Sequence, residues 1–314
     1  MNSTISSGDK PYLLKSPETI KQSGSFKIAE KLKDYMLLVK FNLSFMVVFS
    51  AVISYLLAPM VKVFDWKAII LLFVGGMLVT GSANAINQAM EKQTDAMMKR
   101  TAGRPVASGR MSPAEATSFA VICGLAGTML LWHFNFLTAL LAVISLFFYA
   151  FIYTPLKKVS SLAVLAGAVP GAMPCLIGWA AGNDSLSTGG WILFALQFFW
   201  QFPHFWAIAW IAHKDYTAAG FKMLPSGEGQ TKYSALQAVI YSLLLLPIGV
   251  LPYFTGMSGS VSLLIILVAN FFMVGLCVRF YREMTNQSAR TVMFSSYIYL
   301  PIVLLALLID KVAN

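Results

Sequence analysis

Asn87, Glu91 and Asp95 stand four residues apart at the end of an apolar stretch, and the cations Lys99, Arg100 and Arg104 follow at once. Steps of four turn a helix by roughly 400°, so the spacing predicts three oxygen-bearing side chains along one slowly rotating face. Carboxylates at a membrane edge are costly to place and tend to mark a site. Hard oxygen ligands beside several cations suit Mg²⁺ held against a phosphate-bearing molecule. Asn87 supplies a neutral oxygen, Glu91 and Asp95 supply charge, and a hydrated Mg²⁺ needs only one or two protein carboxylates. The plain alternative is a solvated helix end. A generic charged loop explains any one of these residues, but it explains the ordered amide–acid–acid–base series poorly.

Two further segments could take part. In Tyr149–Lys158 (YAFIYTPLKK), Lys157 and Lys158 could neutralise a phosphate leaving group, although short loops also carry lysine for topology alone. Tyr149 and Tyr153 read either as interfacial anchors or as π faces for a cation. In Trp200–Pro225 (WQFPHFWAIAWIAHKDYTAAGFKMLP), Gln201, His204 and Asp215 approach the same end, with His213 between them. A lone buried histidine is usually a satisfied structural group. Imidazole also suits an axial position on haem iron, and Asp215 could join a second Mg²⁺ to the same phosphates. A fourth segment, Gly167–Gly178 (GAVPGAMPCLIG), pairs Gly167 with Gly171 for close helix packing, and Pro170 and Pro174 are expected to bend its helix.

Apolar spans must position these groups. The chain has 314 residues, 58% apolar and 11% charged, against about 25% charged in soluble domains. A span needs about 20 apolar residues, and nine candidates occur: 35–58, 68–90, 114–132, 135–153, 161–181, 189–212, 233–254, 260–281 and 292–310. The expected fold is all-α, nine transmembrane helices bundled around a central cavity over residues 35–314, after a mobile cytoplasmic tail at 1–34. Continuous rather than alternating runs exclude a β-barrel. Of 23 lysines and arginines, 19 fall in the tail and alternate loops on one side, which puts the N-terminus in the cytoplasm and the C-terminus outside. That placement makes the net charge of +10 a topology signal, not a nucleic-acid stripe. No cleavable signal peptide opens the chain, and a tail without arginine argues against a mitochondrial transit peptide, which favours a bacterial plasma membrane. Cys123, Cys175 and Cys277 lie within spans without metal-ligand spacing and read as buried small hydrophobes.

Taken together, the three segments resemble the protoheme IX farnesyltransferases (haem O synthases), a branch of the UbiA-type intramembrane prenyltransferases. The likeness runs from about Lys33 to the C-terminus. The N-x₃-acid-x₃-D ladder with M-x-R-T-x₂-R-P is shared in part with the wider superfamily, whereas W-Q-x-P-H-F followed by D-Y-x₃-G-x-x-M-L-P is much more specific to the haem branch. Two positions depart: Glu91 stands where the family has aspartate, and Lys40-Phe41-Asn42 replaces an early K-P-R. The resemblance implies farnesyl diphosphate and haem b as substrates, with membrane lipid as the medium and Mg²⁺ held by Asn87, Glu91, Asp95 and Asp215. It implies that Lys99, Arg100, Arg104, Lys157 and Lys158 face the diphosphate. Tyr149, Tyr153, Gln201, His204 and His213 would then face the acceptor. A downstream haem A synthase or oxidase subunits would be the protein partners. The alternatives are a prenyltransferase for a quinone precursor or chlorophyllide, and a transporter. A transporter would show inverted sequence symmetry between halves, and none is evident.

Overall fold

A computed structural model describes residues 24–312. Of the expected tail, residues 1–23 lie outside the described residues, while 24–34 form most of helix α1 (Gly24–Leu38). Ile28, Leu32 and Met36, four apart, expose one apolar face. The polar side of α1 is tied down: Lys31 pairs with Glu115 at 2.5 Å, Tyr35 donates to Glu115 at 2.8 Å, and Arg110 Nε donates to Asp34 at 2.9 Å.

Two residues beyond α1, helix α2 (Phe41–Leu57) starts at an angle of 51° to it. The first expected span is therefore broken. Its elbow is Lys40, in the left-handed region at φ 49° and ψ 57°. The last carbonyls of α1 have no helical donor, and amides from α3 (Trp66–Met90) supply them: Gln88 Nε2 donates to Leu37 and Leu38, and Asn84 Nδ2 to Val39. Ser44 also donates to the Val39 carbonyl, at 2.7 Å. An amide pair one turn apart on α3 thus fixes where the elbow, and Lys40, must lie.

Short α4 (Lys92–Met97) leads to α5 (Pro113–Trp132), capped by Ser112 and opened by Pro113, and a three-residue turn capped by Asn135 starts α6 (Phe136–Phe147). α5 and α6 form the tight hairpin that the sequence predicts. α6 then widens into a π-helical segment, Phe148–Tyr153, and ends in a single turn, α7 (Thr154–Leu156). Pro155 has no N–H to return to Phe151, and the ladder shifts by one residue, so Thr154 N and Oγ1 both bond to the Tyr149 carbonyl.

The remaining spans are α8 (Ala163–Asn183), α9 (Thr188–Ile211), α11 (Lys232–Phe254), α12 (Ser260–Glu283) and α13 (Asn286–Ile309), with short α10 (His213–Ala218) after α9. Counting the bent α1–α2 pair as one, nine spans among the described residues are long and apolar enough to cross a membrane, and among those residues there is no strand beyond an isolated bridge.

α8 is the buried axis, packed against α2, α6 and α9. Pro174 withholds the N–H that would reach the Pro170 carbonyl, and Ser145 Oγ donates there instead; Gln197 Nε2 and Gln201 Nε2 tie α9 to the Gly171 and Ala168 carbonyls. Gly167 and Gly171 serve packing in a different way from the one expected. Gly167 makes room for the Tyr153 ring and Gly171 for the Gln201 amide, while the close backbone approach falls at Gly178, whose missing Cβ would collide with the Ala51 carbonyl. All three cysteines are buried and free.

Candidate active site

The ladder is not one helix. α3 ends at Met90, and Glu91 (φ −97°, ψ 14°) separates it from α4. The backbone bonds that straddle the break survive, Glu91 N to Asn87 O at 3.0 Å and Asp95 N to Glu91 O at 2.7 Å, so the three residues stay in sequence along one edge. Asn87 Nδ2 donates to Glu91 Oε2 at 2.9 Å and to Thr154 Oγ1 at 3.2 Å, which joins the ladder to the π segment. The loop after α4 winds back on itself: Thr101 Oγ1 donates to the Asp95 carbonyl and Arg104 N to Thr101 O. This return lays the Arg104 guanidinium on Asp95, Nη1 donating to Oδ1 at 2.8 Å and Oδ2 at 2.7 Å. Nε and Nη2 of Arg104 have no protein partner among the described residues. Across the mouth, Lys157 Nζ stands 2.7 Å from Glu91 Oε1 and over the Tyr153 ring at 4.6 Å. Both carboxylates and Lys157 are buried. Charges so placed persist only in mutual compensation.

Beside this group lies Lys40, at the elbow that Asn84 and Gln88, on the ladder's own helix, hold in place. The sequence reading marks Lys40 only as part of the departure from K-P-R inside the first span, and gives it no role. Its signals were an ionisable residue at membrane depth and the amides Asn84 and Gln88, which sit beside the ladder and hold the elbow.

A second group lies on α9, α10 and α13. His204 Nδ1 is 2.7 Å from Ser296 Oγ, its ring stacks on Trp200 at 5.4 Å and 14°, and Tyr297 meets it edge-on at 5.0 Å. Arg100 ties the cation loop to α10: Nη2 donates to Tyr216 at 3.2 Å. The chain at Lys222 is stitched to the ladder side by its N–H on the Lys157 carbonyl, 2.8 Å.

Residues 47–299 match the UbiA prenyltransferase family. The chain belongs to that family. Among its relatives is the protoheme IX farnesyltransferase of Cytophaga hutchinsonii, 43% identical over 91% of this chain and 100% of that protein. The protein of the same name from Flavobacterium johnsoniae is 40% identical over 88% of this chain and 94% of its own length. Two solved structures share the fold: a digeranylgeranylglyceryl phosphate synthase, TM-score 0.74 at 23% identity over 90% of this chain and 98% of that one, and an Archaeoglobus fulgidus UbiA homologue bound to GPP and Mg²⁺, TM-score 0.64 at 13% identity over 87% and 99%. Membership of a prenyltransferase family sets the transporter alternative aside.

In this UbiA-family chain, the bundle brings Asn87, Glu91, Asp95, Arg104 and Lys157 together and adds Lys40. Lys99 and Lys158 are exposed on the same end, and half-buried Asp215 immediately precedes Arg100's partner Tyr216 on α10. Tyr149 and Tyr153 pair at 5.3 Å, with Tyr149 donating to Asn84 at 3.5 Å. Two expected acceptor contacts are engaged elsewhere. Gln201 donates both amide hydrogens to the carbonyls of Ala168 and Gln197, and the His213 ring packs beneath Gly229, where an added Cβ would stand 2.6 Å from Nε2. Among the described residues no three His, Cys, Asp or Glu side chains gather closely enough to cage a metal alone. The donor set still suits Mg²⁺ shared with a diphosphate: two buried carboxylates, one of which keeps an oxygen, Glu91 Oε1, without a well-directed hydrogen bond.

Proposed function

We propose that this protein transfers the farnesyl group of farnesyl diphosphate to a vinyl group of haem b, with addition of water, giving haem O and diphosphate. The observation that carries the reading is the meeting, at one mouth of the bundle, of two buried carboxylates with cations from two separate segments, Arg104 and Lys157. Support for haem b as acceptor comes from the end-to-end likeness to relatives named protoheme IX farnesyltransferase and from the Trp200–His204 segment against Ser296.

Diphosphate oxygens are bound by the free nitrogens of Arg104, by Lys157 and Lys40, and at the rim by Lys99, Arg100 and Lys158. These groups stabilise the charge that builds on the leaving group as the allylic C–O bond breaks. Asn87, Glu91, Asp95 and Asp215 are the oxygen donors for Mg²⁺, which when bound would offset diphosphate charge and assist departure. Tyr149 and Tyr153 supply π faces for the allylic cation. A vinyl carbon of haem b attacks that cation, the positive charge passes to the porphyrin substituent, and water adds there with loss of a proton. No protein nucleophile takes part. The apolar walls keep water from the allylic cation until the carbon–carbon bond has formed.

The protein sits in a bacterial plasma membrane with the ladder at the cytoplasmic face and the C-terminus outside, as the distribution of its cations favours. A haem A synthase or terminal oxidase subunits would receive the product. The test is expression in a strain that makes no haem O, followed by chromatography of extracted haems. A more hydrophobic haem carrying a farnesyl chain is expected from the natural sequence and none from Asp95→Asn. Unchanged haem b, together with prenylation of 4-hydroxybenzoate by the purified protein, would sink the assignment.

A further inference from the structure

His204 is held by a chain of contacts that fixes which ring nitrogen carries the proton. Its Nδ1 lies 2.7 Å from Ser296 Oγ, on a helix 92 residues away. Ser296 Oγ also lies 2.5 Å from the Met293 carbonyl, which can only accept. A hydroxyl has one hydrogen. Without that hydrogen between them, two oxygens at this separation would repel, so Ser296 donates to Met293. Ser296 Oγ must then accept from His204, and Nδ1 carries the ring proton. With no carboxylate beside it among the described residues, the buried ring holds a single proton. Nε2 is left with its lone pair and, among the described residues, no partner.

The ring is also fixed in direction. Trp200 lies parallel to it, and Trp200 Nε1 donates to the Ser296 carbonyl at 3.0 Å. One residue of α13 therefore anchors both rings, its hydroxyl holding the imidazole and its carbonyl the indole. Tyr297 closes the edge of the ring at 5.0 Å. A metal-binding histidine characteristically has its second nitrogen bonded in this way, which sets the tautomer and the ring orientation.

We infer that Ser296, through its hydroxyl bond to Nδ1, is the positioning residue that presents His204 Nε2 as the iron ligand for haem b, and that His213 is not the ligand. The inference rests on the haem-acceptor reading and adds to it the iron contact and the residue that orients it. His213 is packed beneath Gly229, and His133 sits in the α5–α6 turn at the opposite end of the bundle. That leaves one of the chain's three histidines in place.

The experiment is a titration of haem b into the detergent-solubilised protein without farnesyl diphosphate, followed in the Soret band. The natural sequence and His213→Ala should both give an imidazole-ligated spectrum, and His204→Ala should lose it and recover it on addition of free imidazole. Ser296→Ala should weaken haem b binding by about tenfold, the scale of loss on removing a ligand's supporting hydrogen bond, and Ser296→Thr should retain it. Nitrogen NMR of ¹⁵N-histidine-labelled protein without haem should show Nδ1 protonated at His204 and the tautomer population altered by Ser296→Ala. An unaltered Soret spectrum in His204→Ala, or an Nε2–H signal at His204, overturns the ligand assignment alone. A natural protein that takes up no haem b overturns the acceptor reading and the ligand with it.

Discussion

At the scale of single residues, the two lysines Lys157 and Lys158 look interchangeable in the sequence and are not so in the structure. Lys157 is buried on Glu91, and Lys158 is exposed without a partner among the described residues. Lys157→Met leaves a buried carboxylate uncompensated, a loss of about 3–5 kcal/mol for such pairs. It should lower both melting temperature and turnover, whereas Lys158→Met should leave the melting temperature near the natural one, since an exposed cation contributes little to stability, and should lower turnover less than Lys157→Met does. Adding Glu91→Gln to Lys157→Met should restore stability but not turnover. A stable, active Lys157→Met protein would show the ion pair to be incidental. Lys40 permits a cleaner separation. A non-glycine residue in the left-handed region costs about 1–2 kcal/mol, so Lys40→Gly should hold or raise the melting temperature. The same change removes a cation from the mouth and should raise KM for farnesyl diphosphate by about tenfold, the equivalent of one charge-assisted hydrogen bond. If KM does not move, Lys40 is no part of the diphosphate site.

At the scale of elements, hydropathy marks every span, but it does not reveal the two places where helices depart from regularity. The elbow at Lys40 falls inside a run that reads as one continuous span, because the amides that hold it, Asn84 and Gln88, come from a helix 45 to 50 residues later. The widened turn before Pro155 is likewise invisible to a count of apolar residues, though it is what swings Thr154 onto Asn87. The spacing of Asn87, Glu91 and Asp95 was legible, and so was the cationic return after it. The separation of function from packing in the W-Q-F-P-H segment was not, because Gln201 and His204 differ only in which neighbouring helix they face, α8 or α13. The glycines of α8 make a related distinction that can be measured. A Cβ at Gly178 meets the fixed Ala51 backbone, so Gly178→Ala must push α2 away and should lower the melting temperature markedly, with overpacking costs of about 1–3 kcal/mol or more. A Cβ at Gly167 meets only the Tyr153 ring, which can rotate. Gly167→Ala should therefore melt near the natural temperature and turn over more slowly. Equal melting temperatures for the two variants would contradict this division of α8 into a packing end and a site end.

At the scale of the whole molecule, the two ends of the bundle carry different chemistry. The ladder end collects the carboxylates, the cation loop and the α9–α10 histidine segment. The other end has few charges, and its Lys311 donates to the carbonyls of Leu56, Ala58 and Val61, closing the last span onto the end of α2. Burial pushes the Lys311 ammonium pKa down from its ordinary value, which is tolerable because three carbonyls at a helix C-terminus face it. Beside it a cavity of about 720 Å³ is lined by Trp179, Phe64 and Met257, remote from every group that the chemistry needs. This polarity implies an orientation. On the proposed reaction, diphosphate is released on the side where soluble substrate and Mg²⁺ are supplied, so the ladder end is expected to face the cytoplasm, the side that the distribution of cations favours. The native cysteines are all buried, which leaves a quiet background for labelling. Glu228→Cys, in the exposed loop before α11, should react with a membrane-impermeant maleimide only after cells are opened, and Thr255→Cys, at the exposed turn before α12, should react on intact spheroplasts. The reverse pattern would place the carboxylates outside the cell, away from any cytoplasmic supply of farnesyl diphosphate, and the proposed reaction could not be fed.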